Sequence, residues 1–429
     1  MTDSAPTAPT KAQKYRKMTR FAVMVYLVCW IISTSSLIAE PLFTSTPFTF
    51  PNLIGGTGFT DFARYYVSAT LAASEDRTNI YDKATQIKVQ QRILNINVEP
   101  EGADNAYVPY VCVFIAPMSY LPITTAYCLW IAVSVIGGGL CIHKILKEDR
   151  HWDNWSIVVA LLAIFGSFNS MNVFRTGQTT WFMFVFFALF YWALRNKTDI
   201  GAGLSLALAT AKPQYCLLFV AGLLATKRWK AFFTFCAAVG IMLIIGGTVL
   251  GWHNVFSYPS VISRLEVTAG TSFYPERMAN IRGILTNLMP VKIAYQISFW
   301  LMFLAMPVVY KLWTGMKDDP EKLRWIFSLT VLLSVTLSPH VNPYDCLLVA
   351  LPAILTLPSI SPIEVWKLKS KPLKVWSFIL FAYPAIGWCV GPLNFVFILM
   401  DIALIISGFM YMTSKDFGAQ QTDKAIAAA

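Results

Sequence analysis

Charged residues are scarce in this chain: they make up 13% of its 429 residues, where soluble domains have about 25%. Apolar residues make up 56%. Apolar runs long enough to cross about 30 Å of hydrocarbon recur from residue 21 to residue 412, with short polar or basic loops between them. The composition therefore excludes a string of soluble domains and predicts an all-α polytopic membrane protein.

The sequence also lacks the common metal and cofactor motifs. Its eight cysteines show no C-x-x-C spacing and its four histidines no paired spacing, so we expect neither a disulfide nor a metal site. The string "LIGGTGF" lacks the Lys-Ser/Thr ending of a phosphate loop, so we expect no sugar-nucleotide donor and no cofactor. The net charge of +11 comes from small basic groups between apolar runs, which is typical of membrane topology and not of nucleic-acid binding.

Twelve apolar segments are candidate membrane spans, which places both termini on the same side. They cover residues 21–39, 123–146, 155–170, 179–195, 200–211, 214–226, 231–251, 291–313, 324–338, 343–358, 375–390 and 393–412. With the N-terminus inside, most of the 34 basic residues lie in cytoplasmic segments. We therefore expect a bacterial plasma membrane protein with one transmembrane domain, 21–412, and cytoplasmic tails at 1–20 and 413–429.

Two segments on the outer side, 40–122 and 252–290, are too long to be simple connections and are expected to cover a site. In the first, "NIYDKATQIKVQQRILNI" predicts an amphipathic interfacial helix with Ile87, Val89 and Ile93 on its apolar face. The proline in "AKPQ" predicts a break between the short spans 200–211 and 214–226, because proline removes a helix hydrogen-bond donor.

Several polar residues fall at the outer ends of the spans or in the outer segments. Ionisable groups near an apolar core are costly and are functional candidates by default. The candidates are Asp61, Tyr65, Arg175, Gln178, Lys212, His340 and Asp345. Their gathering on one face predicts a single site.

One carboxylate with several cations suits the transfer of a sugar from a lipid phosphate to a hydroxyl group. The carboxylate of Asp61 would take the proton of the attacking hydroxyl. The positive side chains of Arg175, Lys212 and His340 would stabilise the departing phosphate. A single carboxylate implies direct inversion at the sugar carbon, because a double displacement needs a second group as nucleophile.

Each candidate also has a structural interpretation. Asp61 fits the N-cap of a helix, and His340 fits a hydrogen-bonded structural histidine. Asp345 could cap the span that it begins or serve as a partner for His340 or Lys212.

The remaining candidates have plainer alternatives as well. Lys212 could extend to the lipid headgroups from a short helix, and Arg175 could contact headgroups in general. Gln178 could cap the following span, and Tyr65 with Tyr66 could belong to an interfacial aromatic belt.

The order of short motifs resembles that of glycosyltransferase family 87. The motifs are "DFARYY", "NIYD", "YVPYVCVFIAPMSYLP", "GQ", "GLSLALATAKPQ" and "SPHVNPYD", and the resemblance covers roughly residues 20 to 415. The family belongs to the GT-C superfamily of membrane enzymes that use polyprenyl-phosphate sugars, and it includes mycobacterial phosphatidylinositol mannoside mannosyltransferases. One departure is "YVPYVCVF", where the family often has a fuller "YPP".

The resemblance implies a GT-C-type fold and an acidic catalytic base in the first outer loop, which corresponds to Asp61. It also implies a donor of the polyprenyl-phosphate-mannose type, bound from the outer side. The family motifs map here onto Gly177, Gln178, Lys212, Pro213, Pro339 and His340.

We therefore expect an inverting membrane glycosyltransferase that acts on the outer face. It would transfer a hexose, with mannose expected, from a polyprenyl-phosphate sugar to a hydroxyl of a lipid-linked glycan or glycolipid. Its partners would be the donor, the acceptor and membrane lipids, without nucleic acid. The alternative is a twelve-span secondary transporter or lipid flippase, which would place charged or broken segments near the midplane in two related halves.

Overall fold

The computed structural model describes residues 60–94, 107–267, 275–316, 319–357, 365, 368–390 and 395–417. The predicted tail 1–20, the predicted first span 21–39 and residues 418–429 of the predicted C-terminal tail lie outside them. Parts of both outer segments also lie outside them, at 40–59, 95–106 and 268–274.

The regular structure of the described residues is helical. In chain order the α-helices are α1 (Thr60–Ala72), α2 (Lys83–Leu94), α3 (Pro109–Ile115), α4 (Ile123–Lys144), α5 (Asn154–Phe165), α6 (Phe168–Thr176), α7 (Thr180–Arg195), α8 (Asp199–Ala209), α9 (Leu217–Ala225), α10 (Trp229–Leu250), α11 (Trp252–Val267), α12 (Ile281–Thr286), α13 (Val291–Thr314), α14 (Pro320–Leu337), α15 (Ala350–Thr356), α16 (Lys371–Val390) and α17 (Phe395–Met412). This confirms the all-α prediction for the described residues.

The described helices fit a multi-pass membrane protein. Four stretches are long and apolar enough to cross a membrane: Ile123–Asp149, Trp229–Leu250, Val291–Thr314 and Phe395–Met412. The bent pair of α5 and α6 adds a fifth if the two helices form one span. The described residues thus support four or five spans, and the count of twelve stays a prediction, because several predicted spans form helices of 10–17 residues.

The helical structure is broken at two places in the predicted spans. The first break lies in the predicted span 155–170, where α5 and α6 meet at an angle of 56°. The break predicted at "AKPQ" is confirmed: α8 ends at Ala209, a 3₁₀ turn covers Pro213–Tyr215, and α9 begins at Leu217. Lys212 lies in this break, immediately before the proline.

The first outer segment packs over that break. The predicted amphipathic helix is confirmed as α2, and its buried face combines Val89 with the polar Gln86 and Gln90. From the neighbouring α3, the Tyr110 hydroxyl donates to the Thr210 carbonyl at 2.8 Å. The outer segment is thereby fixed next to the end of α8.

A group of polar residues around Asp149, the Asp149 layer, lies at the C-terminal end of α7. There the carboxylate of Asp149 accepts hydrogen bonds from the Tyr191 hydroxyl at 2.6 Å, from Arg195 Nε at 3.0 Å and from Arg324 Nε at 3.0 Å. The other end of α7 begins at Thr180. At 1.5 Å per residue, the two ends are about 22 Å apart.

Candidate active site

Asp61 lies in the first turn of α1, at the start of the described part of the first outer segment. The helix begins at Thr60, so Asp61 lies within the turn and not before it. One turn later Arg64 Nη1 lies 3.6 Å from Asp61 Oδ1, and the two side chains are largely buried. The carboxylate is thus held beside a cation and keeps 17% of its surface exposed.

The glycine of the "GQ" motif fixes the contact between α6 and α1. Gly177 follows the last residue of α6 with a φ of 69°, a left-handed conformation that favours glycine. A Cβ atom at Gly177 would lie 2.5 Å from Cβ of Phe62, the residue next to Asp61. The turn and the close approach both require glycine, and they bring Gln178 against α1.

Tyr65 joins α1 to the segment after Gly177. Its hydroxyl lies 3.3 Å from Gln178 Oε1 and 3.2 Å from Thr179 Oγ1, and its ring stacks on Tyr107 at a centroid distance of 4.0 Å. Burial raises the pKa of Tyr65 above its ordinary value, and the carboxylates of Asp61 and Asp345 raise it further. The phenol therefore keeps its proton and remains a hydrogen-bond donor.

This contact decides between the interpretations of Tyr65 and Gln178. Tyr65 is 2% exposed, which does not fit an aromatic belt at the membrane interface. Gln178 accepts the Tyr65 hydrogen bond, and the N-cap position of α7 is occupied by Thr179. Both residues belong to a polar cluster inside the protein.

Lys212 and Asp345 form an ion pair in the centre of this cluster. Lys212 Nζ lies 2.5 Å from Asp345 Oδ1, and the Thr180 hydroxyl donates to the same oxygen at 2.7 Å. Asp345 is fully buried, while Lys212 is 13% exposed. The lysine therefore presents part of its charge to the surroundings while its partner is enclosed.

Asp345 has two structural roles: it caps a helix and it is the partner of Lys212. Its Oδ2 accepts the Asn342 backbone N–H at 3.1 Å, which completes a capping box at the 3₁₀ helix Pro343–Val349. Its other oxygen binds Lys212. His340 is linked to this group through the Asn342 side chain, whose Nδ2 lies 3.2 Å from His340 Nε2.

His340 pairs with the second outer segment. Its Nδ1 lies 2.9 Å from Oε1 of Glu266, whose carboxylate also accepts a hydrogen bond from Arg282. Burial raises the pKa of Glu266, but its interactions with His340 and Arg282 outweigh that effect, so the pKa lies below its ordinary value. The carboxylate is therefore ionised at neutral pH.

The structure thus joins five of the seven predicted site residues, Tyr65, Gln178, Lys212, His340 and Asp345, through hydrogen bonds and their shared partners. Asp61 lies one turn before Tyr65 on α1. Arg175 lies half-buried in the last turn of α6 and takes no part in these contacts. Sequence reasoning missed Thr180 and Glu266 because they lie far along the chain from their partners Asp345 and His340. It also missed Asn342, although the spacing of Asn342 and Asp345 is that of a capping box.

The cluster offers the partly exposed carboxylate of Asp61 and the partly exposed side chains of Lys212 and His340. The described residues contain no group of three or more His, Cys, Asp or Glu side chains that could hold a metal ion. The arrangement can accept a proton at the carboxylate and stabilise an anion at the cations.

The chain matches a model of one protein family, which is described as Glycosyltransferase family 87. The match covers residues 105–339, more than half of the chain. It includes Gly177, Gln178 and Lys212 but begins after α1. No curated protein and no solved structure matches the chain.

Proposed function

Because the chain belongs to glycosyltransferase family 87, we propose that it is an inverting membrane enzyme that transfers a hexose, mannose in the first instance, from a polyprenyl-phosphate sugar. The acceptor is a hydroxyl of a lipid-linked glycan or glycolipid. The proposed fold is of the GT-C type, with about twelve spans, cytoplasmic termini and the site on the outer side of a bacterial plasma membrane. Family membership favours this transferase over a transporter or flippase.

The observation that carries the proposal is the polar network that joins Lys212 to His340 through Asp345 and Asn342. Asp61 lies in the first turn of α1, the helix that Tyr65 joins to the same cluster. In the proposed reaction Asp61 removes the proton of the acceptor hydroxyl as the oxygen attacks the sugar carbon. The bond from that carbon to the phosphate oxygen breaks with inversion, and its electron pair leaves with the lipid phosphate. Lys212 and His340 stabilise the charge that develops on the phosphate.

The remaining polar residues have supporting roles in this proposal. Tyr65 and Gln178 hold α1 against the start of α7, and Asp345 fixes the direction of the Lys212 side chain. Arg175, half-buried in the last turn of α6, is assigned to the donor phosphate or to neighbouring headgroups.

The change Asp61→Asn tests the assignment of the base. Because general base catalysis contributes about 10²- to 10⁴-fold, we expect sugar transfer to fall by at least about 100-fold. The measurement is transfer from a radiolabelled polyprenyl-phosphate mannose to extracted membrane glycolipids by purified protein in nanodiscs.

Asp76→Asn is the matched control, because Asp76 is an exposed acid in the same outer segment. It should leave transfer unchanged. Normal transfer by Asp61→Asn would exclude Asp61 as the base, and loss of donor binding in that variant would point to a structural role instead.

A further inference from the structure

A buried ion pair in the second outer segment lies directly behind His340. Glu266, near the end of α11, is 5% exposed, and Arg282 in α12 is fully buried. The Arg282 guanidinium donates to the Glu266 carboxylate, and its Nη2 donates to the Glu266 carbonyl at 2.6 Å. Taking two charges out of water costs several kcal/mol per ion in general, so such a pair needs further partners to be tolerated.

The further partners belong to the segment that carries His340. Arg282 Nη1 donates to the Pro339 carbonyl at 2.7 Å, and Asn280 Nδ2 donates to the Ser338 carbonyl at 2.5 Å. The Ala279 backbone N–H donates to the Val341 carbonyl at 2.9 Å. The second outer segment therefore fixes the backbone on both sides of His340 as well as its ring.

The two ring nitrogens of His340 meet different groups. Nδ1 lies 2.9 Å from the Glu266 carboxylate, and Nε2 lies 3.2 Å from Nδ2 of Asn342. A carboxylate only accepts hydrogen bonds and an amide nitrogen only donates them. With these partners we expect a neutral ring to carry its proton on Nδ1, facing Glu266, while Nε2 faces Asn342.

A carboxylate behind a histidine sets the ring's orientation and tautomer and compensates its charge when the second nitrogen is protonated. The ring can then offer an Nε2–H to an anion, provided that Asn342 gives way. His340 is 20% exposed, so its ring is open to such a ligand, whereas Glu266 is enclosed.

We propose that Glu266 is a positioning residue of the donor site, which acts through His340 to bind the phosphate monoester of a polyprenol. Arg282 keeps the Glu266 carboxylate in place, and Glu266 directs the His340 ring so that Nε2–H meets a phosphate oxygen. Because His340 is assigned to the phosphate only under the proposed function, the role of Glu266 rests on that function.

A double-mutant cycle on the dissociation constant of polyprenyl monophosphate tests this role. Purified protein in nanodiscs is compared as wild type, Glu266→Gln, His340→Ala and the double variant. We expect Glu266→Gln and His340→Ala each to raise the Kd by about tenfold or more. In the His340→Ala background, Glu266→Gln should change the Kd by less than about twofold. An equal effect in both backgrounds, or no effect in the wild type, would overturn the proposal.

The matched control is Glu276→Gln, which changes an exposed acid of the same segment and should leave the Kd unchanged. A second measurement needs no Glu266 variant and therefore holds even if that variant fails to fold. The chain has four histidines, so ¹⁵N-histidine NMR can follow His340, with His340→Ala identifying its signals. We expect a protonated Nδ1 before the lipid is added and protonation of Nε2 afterwards. An unprotonated Nδ1, or an Nε2 that does not respond, would contradict the proposal.

The two proposals can fail separately. If the wild type transfers sugar but the cycle is additive, Glu266 does not act through His340 and the function stands. If the wild type binds polyprenyl monophosphate with a non-additive cycle but transfers no sugar, the role of Glu266 stands and the proposed function is wrong.

Discussion

Gly177 illustrates how one residue determines the geometry around Asp61. The left-handed backbone at this position costs an L-residue about 1–2 kcal/mol. The contact with Phe62 leaves no space for a Cβ atom, so any side chain must displace the first turn of α1. The glycine therefore links the "GQ" motif to the proposed base through packing alone.

We expect Gly177→Ala to lower the free energy of unfolding by more than the about 1–2 kcal/mol of backbone strain. Sugar transfer should fall as well, because displacement of Phe62 moves Asp61. Thermal unfolding and the transfer assay in nanodiscs check the two effects.

The matched control for this change is Gly240→Ala in α10, where a new Cβ atom has no neighbour within 4 Å. This variant should be neutral or more stable by up to about 1 kcal/mol, because alanine favours a helix. Equal stability of the two alanine variants would contradict the packing argument.

At the scale of elements, the break between α8 and α9 creates the central ion pair. The chain turns at Lys212 and Pro213. The turn directs the lysine side chain towards Asp345, which lies 133 residues further along the sequence. Removal of one partner leaves the other buried without compensation, which typically costs 3–5 kcal/mol. Removal of both charges avoids that penalty.

We expect Lys212→Met to lower the free energy of unfolding by about 3 kcal/mol, because the Asp345 carboxylate stays buried. The double variant Lys212→Met, Asp345→Asn should recover most of that loss, since the asparagine oxygen can still accept the Asn342 N–H and its amide nitrogen can donate to the Thr180 hydroxyl. Its sugar transfer should stay low, because Lys212 is missing. Unfolding in detergent and the transfer assay separate the two quantities.

The control pair is Lys144 and Glu148, which lie 3.0 Å apart with about half of each side chain exposed. Exposed ion pairs contribute about 0–1 kcal/mol, so Lys144→Met should have little effect. A loss as large as that of Lys212→Met would show that burial is not the cause.

Local signals in the sequence predicted several elements correctly. The apolar periodicity predicted α2, and the proline predicted the break at Lys212. The same reasoning treated 155–170 as one span, because nothing in the local composition distinguishes a straight helix from one that ends at Gly166 and restarts after a capping Ser167. Hydropathy measures how apolar a segment is and does not show where the helix axis changes direction.

The candidate site could be predicted in its residue types but not in its pairings. Polar residues at span ends identified Tyr65, Gln178, Lys212, His340 and Asp345. Tyr65 and Gln178 are 113 positions apart and Lys212 and Asp345 are 133 positions apart, so local spacing carries no information about these pairs. The buried Glu266–Arg282 pair is hidden for the same reason, since it depends on how α11 and α12 pack.

At the scale of the molecule, α7 and α14 connect two polar layers. One end of α7 begins at Thr180 in the candidate site, and the other ends at Arg195 beside Asp149. The helix α14 starts near the Asp149 layer with Arg324 and ends just before the segment of His340. A separation of about 22 Å is less than the roughly 30 Å of a hydrocarbon core, so we expect the candidate site at the level of the membrane interface or slightly below it.

The positive-inside rule relates these two layers to the two sides of the membrane. Basic residues cluster around the Asp149 layer, at the ends of α4 and α7 and before α10. Cytoplasmic loops carry such an excess of lysine and arginine. We therefore expect the Asp149 layer to face the cytoplasm and the candidate site to face outward.

Cysteine labelling in spheroplasts tests this orientation. In a background without the eight native cysteines, Glu276→Cys reports on the candidate-site side and Glu148→Cys on the Asp149 side; both positions are exposed. We expect a membrane-impermeant maleimide to label the first variant in intact spheroplasts and the second only after permeabilisation. The opposite pattern would place the site in the cytoplasm, where the acceptor and the sugar carrier would have to present their headgroups on the inner leaflet.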